Sequence, residues 1–231
     1  MKTLGIIGGM GPAATADFLA KIVAHTAAIK DDDHVPCVVI NDPRIPDRTD
    51  AFLEGREAEV LGALTARLQR LEDAGVDGVA IPCNSAHHWA DALQARARAP
   101  LLHIADASLK KVQVDLPHAH RIALMATPVT YRSGFYQRRM QARGLIHHEI
   151  ADALLLEKIL PGIRAVKAGE TQIGASLLSK AASQILEGGA EAVLMACTEI
   201  PIALADHGDA RLVDTNAALA AACVAWARGD A

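Results

Sequence analysis

Gly75-Val-Asp-Gly-Val-Ala-Ile-Pro-Cys83-Asn-Ser85 aligns without a gap on Gly189-Ala-Glu-Ala-Val-Leu-Met-Ala-Cys197-Thr-Glu199, an offset of 197 − 83 = 114 in a chain of 231 residues. Each stretch runs from a glycine that stops a helix, through an acidic residue and an apolar strand, to a cysteine followed by two polar residues. Chance easily supplies one such strand. A second, with cysteine at the same step about half a chain away, marks an internal repeat. The repeat extends upstream, where Leu4–Gly9 resembles Ile122–Thr127.

Outward from these anchors, strands alternate with helices. In the first half, strands are expected at Thr3–Ile7, His34–Asn41 and Val76–Pro82, with helices at Ala13–Ile29, Ala58–Ala74 and from Cys83 to Ala97; Asp42–Thr49 reads as a loop. In the second half, Leu101–Ile104, Arg121–Ala126 and Ala192–Ala196 read as strands. Helices are expected there at Ser108–Val114, Tyr131–Arg143, Leu154–Ala168 and Thr171–Gly188, with Ala217–Arg228 closing the chain. Alternation of this kind predicts an α/β class with parallel strands and right-handed crossovers. The expected architecture is two Rossmann-like parallel-sheet halves related by pseudo-twofold symmetry, with the active site between them. One half takes residues 1–100 with 210–231 and the other 101–209.

Composition narrows the partners. The chain is 51% hydrophobic and 22% charged, enough for a substantial core, and with only 3% aromatic residues that core is built from Ala, Leu, Val and Ile. A net charge of −4 with no basic stripe argues against nucleic acid and anionic membrane surfaces, leaving small molecules as the expected ligands. Leu4–Ile7 follows only Lys2 and is followed closely by Gly8, Gly9 and Gly11, which makes a poor export signal, and no later apolar run is long enough to cross a membrane. Cys37, Cys83, Cys197 and Cys223 lack metal-ligand spacing, so the expectation is reduced thiols in a cytoplasmic protein.

In open parallel sheets ligands collect beyond the carboxyl ends of strands, where Cys83 and Cys197 fall. Two thiols facing one carbon from opposite sides suit a reaction that removes a proton from one face and returns one to the other. A single base cannot easily reach both. A helix N-terminus behind each sulfur is expected to lower its pKa and favour the thiolate. The competing reading is a pair of buried structural thiols, common for free cysteine, and the repeat weighs against it. Cys37 in a strand and Cys223 on an apolar helix face are read as core. His87 can share a helical face with Cys83, though a capping role fits it equally.

The chain resembles the aspartate/glutamate racemase family, which includes hydantoin racemases. The resemblance spans nearly its whole length through Gly5-Ile-Ile-Gly-Gly-Met-Gly-Pro12, Ile45-Pro-Asp-Arg-Thr49, Pro82-Cys-Asn-Ser-Ala-His87, Ala126-Thr-Pro-Val-Thr130 and Ala196-Cys-Thr-Glu-Ile-Pro201. It implies racemisation of a small acidic amino acid, aspartate first and glutamate next, with no pyridoxal phosphate, no metal and a homodimer. By position it implies Cys83 and Cys197 as the acid/base pair. Asn84, Ser85 and Thr198 then hold the α-carboxylate and amino groups, Thr127 and Thr130 form the threonine pair of the second half, and Arg48 and Lys167 meet carboxylates. Met10 and Glu199 are counted with the substrate-binding residues. Ser85 stands where the family commonly has Thr. Gly8-Gly9-Met10-Gly11 replaces the Asp-Ser pair of glutamate racemases, which leans the expectation towards aspartate.

Several of these residues carry a plainer reading. Arg48 could belong to a surface ion pair beside Asp47, Lys167 could only complement a helix dipole, and Glu199 could be a first-turn helix acid. Gly9-Met-Gly11-Pro-Ala-Ala14 fits a dinucleotide fingerprint, yet Pro12 lies inside it and no acidic residue falls about 20 positions on at a strand end, so a tight turn is the better reading. A related isomerase or decarboxylase, or a broad-specificity racemase, acting on another small acid or a hydantoin, and a two-lobed small-molecule binding protein that has lost the chemistry, are the alternatives.

Overall fold

The computed structural model describes residues 1–205 and 207–230. Asp206 and Ala231, inside the expected segments 101–209 and 210–231, lie outside the described residues. The chain forms two compact units, residues 1–107 with 216–231 and residues 108–215.

The first unit carries a four-stranded parallel sheet of β1 (Leu4–Gly8), β2 (Cys37–Asn41), β3 (Gly78–Ala80) and β4 (Leu101–Leu102), in the order β2-β1-β3-β4. The second carries β5 (Arg121–Ala126), β6 (Ile146–His148), β7 (Ala192–Ala196) and β8 (Leu212–Asp214), in the order β6-β5-β7-β8. The two orders are the same, each unit's second strand lying outside its first.

The repeat holds to the register. Leu4 pairs with Gly78 and Cys37, and Val79 with Leu101; Ile122 pairs with Ala192 and His147, and Val193 with Leu212. Since 78 + 114 = 192 and 79 + 114 = 193, the gapless alignment of the sequence is also the structural one. Even the acidic residue of each repeat does the same work. Thr3 N–H donates to Asp77 Oδ2 (2.7 Å), while His120 and Arg121 N–H donate to Glu191 Oε2 (2.6 and 2.9 Å). Each carboxylate thereby satisfies the backbone at the start of the central strand, which would otherwise be left unpaired. Gly75 and Gly189 leave their helices at φ +79° and +99°, a region that favours glycine.

Alternation along the strands sorts the first core into two layers. Ile7, Val79 and Ile81 pack with Val60, Leu64, Leu68 and Leu71 of the helix Glu57–Asp73. Leu4, Ile6 and Ala80 pack on the other face with Phe18 and Ile22 of the helix Pro12–His25 and with Leu219, Cys223 and Val224 of the last helix, Thr215–Arg228. Cys37 borders this second layer. In the other unit Ala123, Met125, Val193 and Met195 meet Ile163, Val166, Leu178 and Ile185 from the helices Leu160–Lys167 and Thr171–Glu187.

Several elements differ from expectation. The first helix stops at His25, where Thr26 turns to extended backbone while its hydroxyl donates to the Ile22 carbonyl (2.7 Å). Residues expected as one helix from Tyr131 to Arg143 form two, Pro128–Arg132 and Phe135–Ala142, with Gly134 at φ +73° between them. Leu155–Ile159 is a π-helical turn ahead of Leu160–Lys167, where Pro161 has no N–H for the Glu157 carbonyl one turn back. A 3-10 turn, Ser85–Trp89, and the short helix Ala90–Gln94 replace the single helix expected after Cys83. Among the described residues no helix is long and apolar enough to cross a membrane.

Candidate active site

In the first unit the expected residues gather at the carboxyl ends of β1, β2 and β3. Gly9, just past β1, has φ +96°, and a Cβ there would stand 2.4 Å from the Asp42 backbone, so only glycine lets the two loops touch. Thr15 braces the turn, accepting from Gly9 N–H (2.9 Å) and donating to the Gly11 carbonyl (3.1 Å). Met10 packs into the same apolar cluster as Ile45 and Cys83. Thr15 was missed in the sequence because a threonine inside a helix start gives no signal of its own.

Past β2, the buried Asp42 carboxylate accepts from Arg44 Nε (2.9 Å) and Arg67 Nη2 (2.6 Å), and these guanidiniums hold it well below the usual carboxylate range. That clamp anchors the loop leading to Arg48, the first residue of the helix Arg48–Leu53, whose start is capped by the Asp47 side chain on Thr49 and Asp50 N–H. Arg48 is half-buried and donates Nη1 to the Pro46 carbonyl (3.1 Å), while its Nε is buried without a hydrogen-bond partner. Among the described residues it has no carboxylate partner, so the surface ion pair does not form.

Past β3, Cys83 is 4% exposed, with Asn84 and Ser85 buried beside it. Its N–H donates to the Ile81 carbonyl (2.7 Å), and its own carbonyl accepts from His87 Nδ1 (2.9 Å).

The second unit repeats the arrangement at β5 and β7. Thr127 immediately precedes the helix Pro128–Arg132, and its hydroxyl lies 3.2 Å from that of Thr130; both residues are buried. Cys197, 7% exposed, donates its thiol to Glu199 Oε2 (3.0 Å), and Thr198 Oγ1 donates to the same oxygen (3.3 Å). Lys167 ends the helix Leu160–Lys167 and is exposed.

Electrostatics corrects one expectation. Burial, followed by the charge and hydrogen bond of Glu199, pushes the Cys197 thiol well above its ordinary value, against a smaller pull downward from Lys167. The helix behind it, Glu199–Ala203, is only 5 residues long, and it places a carboxylate where a positive end was expected. Cys197 is therefore held as a thiol, a proton donor. Among the described residues no three His, Cys, Asp or Glu side chains group as they would around a metal ion.

Each unit of this duplicated α/β fold ends its third strand just before a buried cysteine, followed at once by polar residues. The family described as Asp/Glu/Hydantoin racemase matches residues 7–223, and the chain belongs to it. It is thus an isomerase of the racemase class. It is 27% identical to the broad specificity amino-acid racemase RacX of Bacillus subtilis over 96% of both chains. The structure of Picrophilus torridus aspartate racemase superposes with a TM-score of 0.85 at 29% identity, covering 99% of this chain and 95% of that one. Glutamate racemase from Francisella tularensis in complex with D-glutamate shares the fold, with a TM-score of 0.71 at 16% identity over 99% of this chain and 82% of that one.

Proposed function

We propose that the chain interconverts L- and D-aspartate, with Cys83 and Cys197 working on opposite faces of Cα and no added cofactor. The observation that carries this reading is the equivalence of the two cysteines. Each follows the third strand of sheets that share one order and one register. The likeness to an aspartate racemase at 29% identity supports the choice of substrate.

In one direction the Cys83 thiolate takes the α-proton, forming its S–H as the Cα–H bond breaks. The Cys197 thiol then delivers its proton to the opposite face, forming the new Cα–H bond and leaving a thiolate. The reverse reaction exchanges the roles. Glu199 keeps Cys197 protonated until the carbanion-like charge develops. Arg48 and Lys167 offset the two carboxylates, while Asn84, Ser85, Thr127, Thr130 and Thr198 orient the α-carboxylate and amino groups. Met10 gives the substrate an apolar wall that excludes water. The homodimer implied by the family resemblance is part of this proposal and is read by light scattering.

The deciding experiment incubates the purified chain with L- or D-aspartate in deuterium oxide. The wild type should form the opposite enantiomer carrying deuterium at Cα, and Cys83→Ala and Cys197→Ala should not; formation of the opposite enantiomer at the full rate by either variant overturns the two-thiol scheme. A second reading, a wider substrate range, is favoured by the whole-length likeness to a broad-specificity racemase. A chiral assay across the common amino acids separates the two.

A further inference from the structure

His87 is 3% exposed, and the acid/base scheme leaves it without a task. Its two ring nitrogens meet backbone groups that can act in only one way each. Nε2 lies 3.2 Å from the Ile104 N–H, which can only donate, so Nε2 must offer a lone pair. Nδ1 lies 2.9 Å from the Cys83 carbonyl, which can only accept, so Nδ1 must carry the hydrogen. The surroundings thus select one neutral tautomer of two, since a doubly protonated ring would set Nε2–H against Ile104 N–H.

Both partners matter to the site. Ile104 opens the helix Ile104–Asp115, so its N–H is one of the donors a helix start leaves unsatisfied. The Cys83 carbonyl lies beyond the end of β3 at Ala80, outside the ladder that would otherwise bond it. The ring therefore ties the cysteine turn to a helix start through two directed bonds. The His103 ring, packed edge-on at 4.6 Å, limits rotation about the Cβ–Cγ bond.

We infer that His87 is a positioning residue for Cys83: as the Nδ1–H tautomer it fixes the peptide plane between Cys83 and Asn84 and so the direction of the Cys83 sulfur. The inference rests on Cys83 being an acid/base group, and its test separates the two. Asn places its amide nitrogen where His has Nδ1, so His87→Asn keeps the bond to Cys83. Gln reaches the Nε2 position, so His87→Gln keeps only the cap on Ile104. Phe keeps the ring volume and neither bond.

Deuterium exchange into aspartate should fall about tenfold in kcat with KM within about twofold for His87→Phe, stay low for His87→Gln, and recover to within about threefold of wild type for His87→Asn. Nitrogen-15 spectra of the wild type at neutral pH should show Nδ1 protonated. An Nε2–H or doubly protonated ring, unchanged kcat in His87→Phe, or rescue by Gln as good as by Asn each overturns the role. If the wild type exchanges no amino acid, the racemase reading falls instead. The spectrum and the order of Cys83 alkylation rates across the three variants then decide the role of His87.

Discussion

The Cys197 sulfur donates to Glu199 Oε2 at 3.0 Å, and both residues are buried. A carboxylate at that range stabilises the thiol and repels the thiolate, which distinguishes this cysteine from its repeat partner Cys83. At the position equivalent to Glu199 the first half has Ser85, which carries no charge. This pair of residues therefore sets the electrostatic difference between the two cysteine turns.

Glu199→Gln tests the pairing. Removing the negative charge takes away the charge repulsion that raises the thiol and leaves only a weaker, neutral acceptor for its hydrogen bond, so Cys197 should titrate lower and be alkylated faster at a fixed pH slightly above neutral. Proton return to substrate should weaken at the same time, with kcat down about tenfold for the loss of one charge-assisted hydrogen bond. Mass-spectrometric alkylation rates read the first effect. A thiol titration unchanged or raised in the variant excludes Glu199 as its cause.

Gly9→Ala tests the contact between the loops after β1 and β2. Alanine would need φ +96° and would set its Cβ 2.4 Å from backbone that the Asp42 clamp holds in place. Backbone strain and the clash together should lower stability by about 3 kcal/mol or more, read as a lower urea midpoint. A midpoint within error of wild type would mean that the loop after β2 yields freely.

The legible and illegible parts of this chain separate on physical grounds. Buried central strands such as Ala192–Ala196 declare themselves as apolar runs between a helix stop and a polar pair, and the cysteine repeat fixes their equivalence. The edge strands β6 and β8, Ile146–His148 and Leu212–Asp214, are 3 residues long and partly polar, too short to show a period of two. Their existence follows from the partner strand, not from their own residues. The same holds at the site. The positions of Cys83, Asn84, Thr127 and Cys197 could be read locally, whereas the Glu199 contact that raises the Cys197 thiol and the Ile104 contact that fixes His87 depend on side-chain direction and on sequence-distant packing.

Gly78 and Ala192 occupy equivalent places in the two sheets, and the difference between them has a packing cause. A Cβ at Gly78 would lie 2.5 Å from the Trp226 ring, which covers that strand from the last helix. Gly78→Ala should therefore destabilise by about 1–3 kcal/mol through overpacking, and Trp226→Leu should cancel most of that penalty in the double variant. Strict additivity in the double-mutant cycle would show that the ring is not what excludes the methyl group.

Cys223 predicts an alkaline limit to stability. Its thiol is fully buried, and burial, with a smaller contribution from Cys37, raises it far above the ordinary value of 9.0. The folded state keeps the proton that the unfolded chain begins to release near that value. The stability it contributes is fully present below the ordinary value and is lost as pH climbs from there towards the raised one, by up to about 1.4 kcal/mol per pH unit. Cys223→Ala removes the linkage and should flatten that alkaline fall, although the small cavity costs about 1 kcal/mol at neutral pH. Urea unfolding of both proteins between about pH 8 and 11 measures the difference in slope. Parallel curves would place the alkaline sensitivity elsewhere, with the Cys197 thiol, raised in the same direction, the next group to substitute.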